Sequence, residues 1–118
     1  MRVSVFGLGY VGCVSAACLA SRGHRVIGVD VSPQKVDMIA RGQAPVVEET
    51  IGELTAQVVG SGALTATTGA AEAIAQTDVS LVCVGTPSAP NGSLSTTYLE
   101  RVCEEIGAAI GAKEARHV

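Results

Sequence analysis

The run Val3-Ser4-Val5-Phe6-Gly7-Leu8-Gly9-Tyr10-Val11-Gly12 restricts the fold of this chain more than any other stretch. Strand-like alternation leads directly into Gly-x-Gly-x-x-Gly, and an Ala/Val/Cys-rich helical segment opens behind it. Strand, glycine turn and helix in that order form a cradle for a dinucleotide pyrophosphate. Gly7 permits the tight turn, Gly9 lets the backbone approach phosphate without an intervening Cβ, and Gly12 lets helix and strand pack closely. Tyr10 and Val11 occupy the first helical turn, where unpaired N–H groups and the helix dipole favour negative charge.

The context around the turn agrees with this reading. A second strand, Arg25-Val26-Ile27-Gly28-Val29, ends at Asp30, eighteen residues beyond Gly12. An acidic residue about twenty positions on is the expected acceptor for the adenosine ribose hydroxyls. A 2′-phosphate would meet the same carboxylate, so NAD is expected rather than NADP. At an effective dielectric near 20 that repulsion is about 4 kcal/mol at ~4 Å. Lys35, one turn into the next helix, either reaches a phosphate or is a solvated surface lysine; its position alone leaves both readings open.

Taken in order, the chain alternates strands and helices four times. A helix is expected from Tyr10 to Arg22, apolar nearly all round and closed by Gly23. Ser32 and Pro33 mark the N-cap and first position of a second helix, with Val36, Ile39 and Ala40 facing inward. A third helix runs from about Thr50 to Val59, with Ile51, Leu54, Val58 and Val59 on one face. Glu48 and Glu49 favour its start. Leu64–Thr68 is a short β-prone run and Ala70–Gln76 a short helix. Val79–Val84 is apolar but for Ser80 and reads as a buried strand, as central parallel strands do, and leads into Gly85-Thr86-Pro87; Asn91-Gly92 marks a turn. Leu99, Val102, Cys103, Ile106 and Ile110 then repeat at helical spacing.

This pattern predicts an α/β, Rossmann-like parallel sheet with helices on both faces, in the order 3-2-1-4, truncated after about four strands. Strands one and four are then neighbours at the switch point, so the glycine turn and Thr86 flank one crevice. Residues 1–118 are expected to form an NAD-binding domain that stops where a fifth strand would begin, as the front part of a longer protein.

Composition narrows the function. The formal charge is −3 and aromatic residues make up 3 % of the chain, which gives no footprint for nucleic acid or an anionic membrane surface. The apolar run from Val3 to Ala20 superficially resembles a secretion signal, but its glycines are placed as a phosphate loop. Cys13, Cys18, Cys83 and Cys103 form no Cys-x-x-Cys pair, and His24 and His117 stand apart, so no metal site is expected. All four cysteines fall in apolar patterns, and buried free thiols suit a reducing, cytoplasmic setting. No Ser/His/Asp or Cys/His constellation is present, so no catalytic residue is expected in this chain.

Gly-Leu-Gly-Tyr-Val-Gly, then Val26 to Ser32 with Lys35, then Val82-Cys83-Val84-Gly85-Thr86-Pro87-Ser88 and Asn91-Gly92, together resemble the UDP-glucose/GDP-mannose dehydrogenase family, and its GDP-mannose branch most of all. The resemblance implies oxidation of a sugar-nucleotide C6 alcohol to a carboxylate with two NAD. The route passes through a thiohemiacetal and thioester on a cysteine beyond Val118. For the GDP-mannose branch the product is GDP-mannuronate, a precursor of alginate. It further implies NAD contacts at Tyr10, Val11, Asp30, Lys35 and Thr86, a sugar nucleotide as partner and homo-oligomer formation in the longer protein. One departure is visible: the family's usual Glu-Pro-Gly-Leu is Glu48-Glu49-Thr50-Ile51 here, which leaves that helix start open. Rival readings are a stand-alone NAD-sensing module, which would not need the Thr86-Pro87-Ser88 segment, and another dehydrogenase sharing the same first half.

Overall fold

A computed structural model of the chain describes residues 1–85, 90–92 and 96–118. Its elements are β1 (Arg2–Phe6), α1 (Tyr10–Ser21), β2 (Arg25–Val29), α2 (Pro33–Ala40), α3 (Glu49–Gly60), β3 (Leu64–Thr67), α4 (Ala70–Gln76), β4 (Val79–Val82) and α5 (Thr97–Gly111). The strands form one sheet in the order β3-β2-β1-β4, with every pairing parallel. Val5 stands opposite Gly28 on one side and Leu81 on the other, so β1 is central and all strands end together.

Period-two alternation in β1 sends its side chains to two cores. Val3 and Val5 join Cys13, Ala16, Ala20, Ile39 and Val58 from α1, α2 and α3. Phe6 faces the other way, with Val29, Ala73, Ile74 and Val102 under α4 and α5. Helices therefore cover both faces, as the sequence predicts. Ala16 and Ala17 have no exposed surface, and their small side chains let α1 lie close to the sheet.

Helix boundaries follow their local chemistry. Gly23, at φ +93°, closes the turn after α1. The Ser32 hydroxyl accepts a hydrogen bond from Lys35 N at 3.3 Å, with Pro33 at the first helical position. Glu48 settles the uncertain start of α3: its carboxylate accepts from Thr50 N at 3.1 Å and Ile51 N at 2.8 Å. A glutamate thus supplies the N-cap bonds that a shorter Ser or Asp usually makes.

Several expectations of burial fail. Val79–Val82 is not a buried strand: it pairs with β1 on one side, and Leu81 and Val82 are 38 % and 43 % exposed. A mostly apolar run reports what a strand can bury, not how many neighbours this chain supplies. The cysteines also divide: Cys13 is buried, Cys83 is half-buried just past the end of β4, and Cys18 and Cys103 are exposed. Helix α1 is therefore buried along one side rather than all round, and Tyr10, Val11 and Cys18 face out. In α2, Ala40 is exposed. In α3, Thr55 takes an inner position with Ile51 and Val58, donating its hydroxyl to Ile51 O at 2.6 Å, while Leu54 and Val59 are half-buried. That internal bond removes the cost of burying the hydroxyl.

At the amino ends of the strands a polar network holds the last residues to the sheet. Lys113 Nζ donates to Ile74 O at 3.0 Å and to Thr77 O. His117 Nδ1 lies 3.0 Å from Lys113 Nζ and 3.1 Å from the same Thr77 O. Nε2 lies 2.7 Å from Ser80 Oγ, which in turn lies 2.6 Å from Ser4 Oγ. Val118 runs alongside β4, donating to Asp78 O at 3.0 Å and accepting from Ser80 N at 2.7 Å.

Candidate functional site

The carboxyl ends of β1, β2 and β4 open into a cleft of about 650 Å³, lined among others by Gly7, Gly9, Tyr10, Val11, Asp30 and Lys35. That volume falls within the range of small-molecule and cofactor sites, about 300–1,000 Å³. A second cavity, of about 340 Å³, opens beside Arg2, Arg25 and Gln76 at the amino ends of the strands. Ligands of open parallel sheets bind outside the carboxyl ends, so the first is the candidate site.

The three glycines of the turn have different duties. Gly7 adopts φ +98°, and a Cβ there would lie 2.7 Å from Cys83 O, because β4 exits against the turn. A Cβ on Gly12 would fall 1.6 Å from Gly7 O. Around Gly9 a Cβ would meet nothing within 4 Å. The first and third are therefore demanded by the protein's own packing, whereas the second faces open space. Gly9 also serves as N-cap of α1 with no side-chain cap bond, and Tyr10 and Val11 are 61 % and 63 % exposed. The first turn of α1 thus presents its backbone N–H groups to the cleft.

Asp30, at the tip of β2, is 9 % exposed. Its Oδ2 accepts from Leu8 N at 2.8 Å and its Oδ1 from Ser32 N at 2.9 Å. The carboxylate therefore braces the glycine turn against the β2–α2 connection, and each oxygen keeps a further lone pair for a ligand hydroxyl. Lys35 lines the same cleft from the first turn of α2. Cys13 supports the turn from beneath, donating Sγ–H to Leu8 O at 3.3 Å. Burial first, then the Asp30 charge, push this thiol up to about 11 against the opposing pull of Lys35, so it stays protonated.

Six of the expected residues, Gly7, Gly9, Tyr10, Val11, Asp30 and Lys35, thus line one cleft, with Gly12 packed behind them. Thr86, with Pro87 and Ser88, lies outside the described residues. Other residues in and beneath the site escaped sequence reasoning. Leu8, fully buried beneath the turn, fits because Gly28 is bare: a Cβ there would lie 2.9 Å from Leu8 Cδ2. Cys83, Val84 and Tyr98 line the cleft itself. Burial raises the Cys83 thiol. The Tyr98 phenol is raised by burial first and then by Asp30. The signal for Tyr98 was its place one helical turn before Val102 on the inward face of α5, with a hydroxyl that burial obliges to find a partner.

The sequence pattern of the UDP-glucose/GDP-mannose dehydrogenase family, NAD binding domain, matches residues 1–116. The chain belongs to this family. It is 52 % identical over 117 residues to a GDP-mannose 6-dehydrogenase of Azotobacter vinelandii, covering 99 % of this chain and 27 % of that protein. A UDP-glucose 6-dehydrogenase of Rhizobium meliloti is 38 % identical over 109 residues. Among solved structures, a ternary complex of GDP-mannose dehydrogenase from Pseudomonas aeruginosa superposes with a TM-score of 0.97 at 53 % identity, over 99 % of this chain and 27 % of that one. A UDP-glucose dehydrogenase from Pyrobaculum islandicum gives 0.90 at 41 % identity, over 95 % and 26 %. The chain therefore spans about a quarter of the length of these relatives. The family's cofactor is NAD, and the site fits it: the Gly7–Gly12 packing leaves no room for side chains, and the space at Gly9 is open.

Proposed function

We propose that this chain is the cofactor-binding part of a nucleotide-sugar 6-dehydrogenase that oxidises the C6 alcohol of GDP-mannose to the carboxylate of GDP-mannuronate, an alginate precursor, with two NAD per product. The observation that carries the reading is the meeting of the glycine turn, the uncapped start of α1 and Asp30 on one cleft. The reading gives residues 1–118 the role of NAD-binding domain within a longer, cytoplasmic, oligomeric protein, with the cysteine chemistry and the sugar nucleotide held by parts beyond it. On its own the chain binds NAD and turns nothing over.

Within the site, the N–H groups at Gly9, Tyr10 and Val11 hold the pyrophosphate, and Gly7 and Gly12 fix the turn that presents them. Asp30 accepts from the adenosine ribose hydroxyls through the lone pairs that Leu8 and Ser32 leave free. Lys35 neutralises phosphate charge from α2, and the reading adds a hydroxyl from Thr86. Bound NAD supplies the hydride acceptor for alcohol oxidation.

Calorimetry with NAD and NADP on the purified chain tests the assignment. NAD should bind about a thousandfold more tightly, the equivalent of roughly 4 kcal/mol of charge repulsion at the 2′ position. Asp30→Ala should narrow that gap. Equal affinities in the unmutated chain would remove Asp30 from the ribose site.

A further inference from the structure

We propose that the cavity at the amino ends of the strands is a second anion site, which takes a small phosphorylated molecule between Arg2 and Arg25. This cavity shares no lining residue with the cofactor cleft, so the site is independent of the NAD reading. Arg2 and Arg25 are register partners on the adjacent parallel strands β1 and β2, and their side chains leave the same face of the sheet. Neighbouring strands stand ~4.8 Å apart, and like charges directly opposite each other oppose the pairing. Asp78 answers the first of these charges, accepting from Arg2 Nη2 at 2.9 Å and from Arg2 Nε at 3.2 Å. Arg2 keeps its Nη1 hydrogens and one on Nη2. The Arg25 guanidinium has no hydrogen bond or ion pair among the described residues, so all of its donors are free.

The volume of about 340 Å³ falls within the range of small-molecule sites, about 300–1,000 Å³. Thr65 and Gln76 line it with side chains that likewise have no partner among the described residues, and Ile27 lies on the same strand face as Arg25. No acidic residue lines the cavity, although the chain carries a formal charge of −3. A hollow walled by one sign of charge concentrates the opposite sign. Phosphate is the chemistry that fits. A guanidinium is a planar fork that meets phosphate oxygens in pairs, and a phosphate monoester has oxygens enough to occupy two forks at once. Its negative charge also cancels the repulsion between the register partners, so binding ties the first residues of β1 and β2 together. A carboxylate fills one fork and leaves the other. Thr65 and Gln76 then offer uncharged hydrogen bonds to the ester's hydroxyls, and Ile27 meets its carbon skeleton.

The test is amide NMR on the purified chain, titrated with inorganic phosphate against sodium chloride of equal ionic strength. Phosphate should shift the Arg25, Ile27 and Thr65 amides to saturation, and chloride should not. Arg25→Gln, at an exposed position, should keep the fold and weaken that response roughly 10- to 100-fold, the loss of one charge-assisted hydrogen bond. Arg25→Lys keeps the charge without the fork and should fall between the two. Tyr10 and Val11, in the cofactor cleft, report any phosphate bound there and should respond alike in all three proteins. Strand-start amides that respond equally to phosphate and chloride overturn the proposal, as does an Arg25→Gln response equal to that of the unmutated chain.

Discussion

Gly9 and Gly12 occupy the same motif and should fail in opposite ways when a methyl group is added. At Gly12 the new carbon would collide with Gly7 O at 1.6 Å, a backbone atom that cannot step aside. Gly12→Ala should cost about 3 kcal/mol or more, at the upper end of overpacking losses, and abolish NAD binding with it. Gly9 has φ −81° and open surroundings, so Gly9→Ala should leave stability within about 0.5 kcal/mol. Its methyl would stand where the pyrophosphate approaches, and affinity should fall at least about tenfold. Denaturant titration and calorimetry on the pair separate the two effects. Gly7, Gly12 and Asp30 were legible in the sequence because a turn, a close helix contact and a strand tip are demands made over a few residues. Cys83 and Tyr98 were not, since their place in the cleft depends on where β4 and α5 fall against β1. Leu8 and Gly28 were missed for the same reason: one fills the space the other leaves, across neighbouring strands.

Periodicity located the helices and strands and misjudged several of their faces. Thr55 was passed over in α3 because a hydroxyl reads as polar until its bond to Ile51 O is seen. β4 was read as buried from its apolar side chains, although the order 3-2-1-4 leaves one of its edges unpaired, and Leu81 and Val82 are exposed. The tail after α5 gave no sequence signal, since Lys113 and His117 read as ordinary surface residues. Their network with Thr77, Ser80 and Ser4 is local only in space. His117→Ala should leave a Lys113 donor and the Ser80 hydroxyl without their partner, at a cost of about 1–3 kcal/mol. Urea denaturation measures that loss. NAD affinity should stay within roughly twofold, because the network lies at the far end of the strands and distant sites act independently.

For the molecule as a whole, strand order and the site at the carboxyl ends were both predictable, because right-handed crossovers leave few ways to arrange four parallel strands. The loss of stability at alkaline pH was not, as a buried thiol contributes to it. Cys13 holds its proton up to about 11 in the folded chain, against an ordinary value of 9.0. Its contribution to stability is complete below pH 9.0 and is lost as the pH rises through about 11, since the unfolded chain releases the proton first. Unfolding midpoints should fall over that window, and Cys13→Ala should flatten the decline. At pH 8 iodoacetamide should label exposed Cys18 and Cys103 while sparing Cys13.

β1 and β4 carry the Ser4–Ser80 contact at one end and the Gly7–Cys83 contact at the other. The two lie three residues apart along β1, or roughly 10 Å at ~3.3 Å per residue. An engineer retargeting this scaffold to a phosphorylated cofactor can therefore rewrite the tip of β2 and the start of α2 without touching the tie that anchors the tail. The converse also holds: damage to that tie should be repairable without relearning which nucleotide the scaffold accepts.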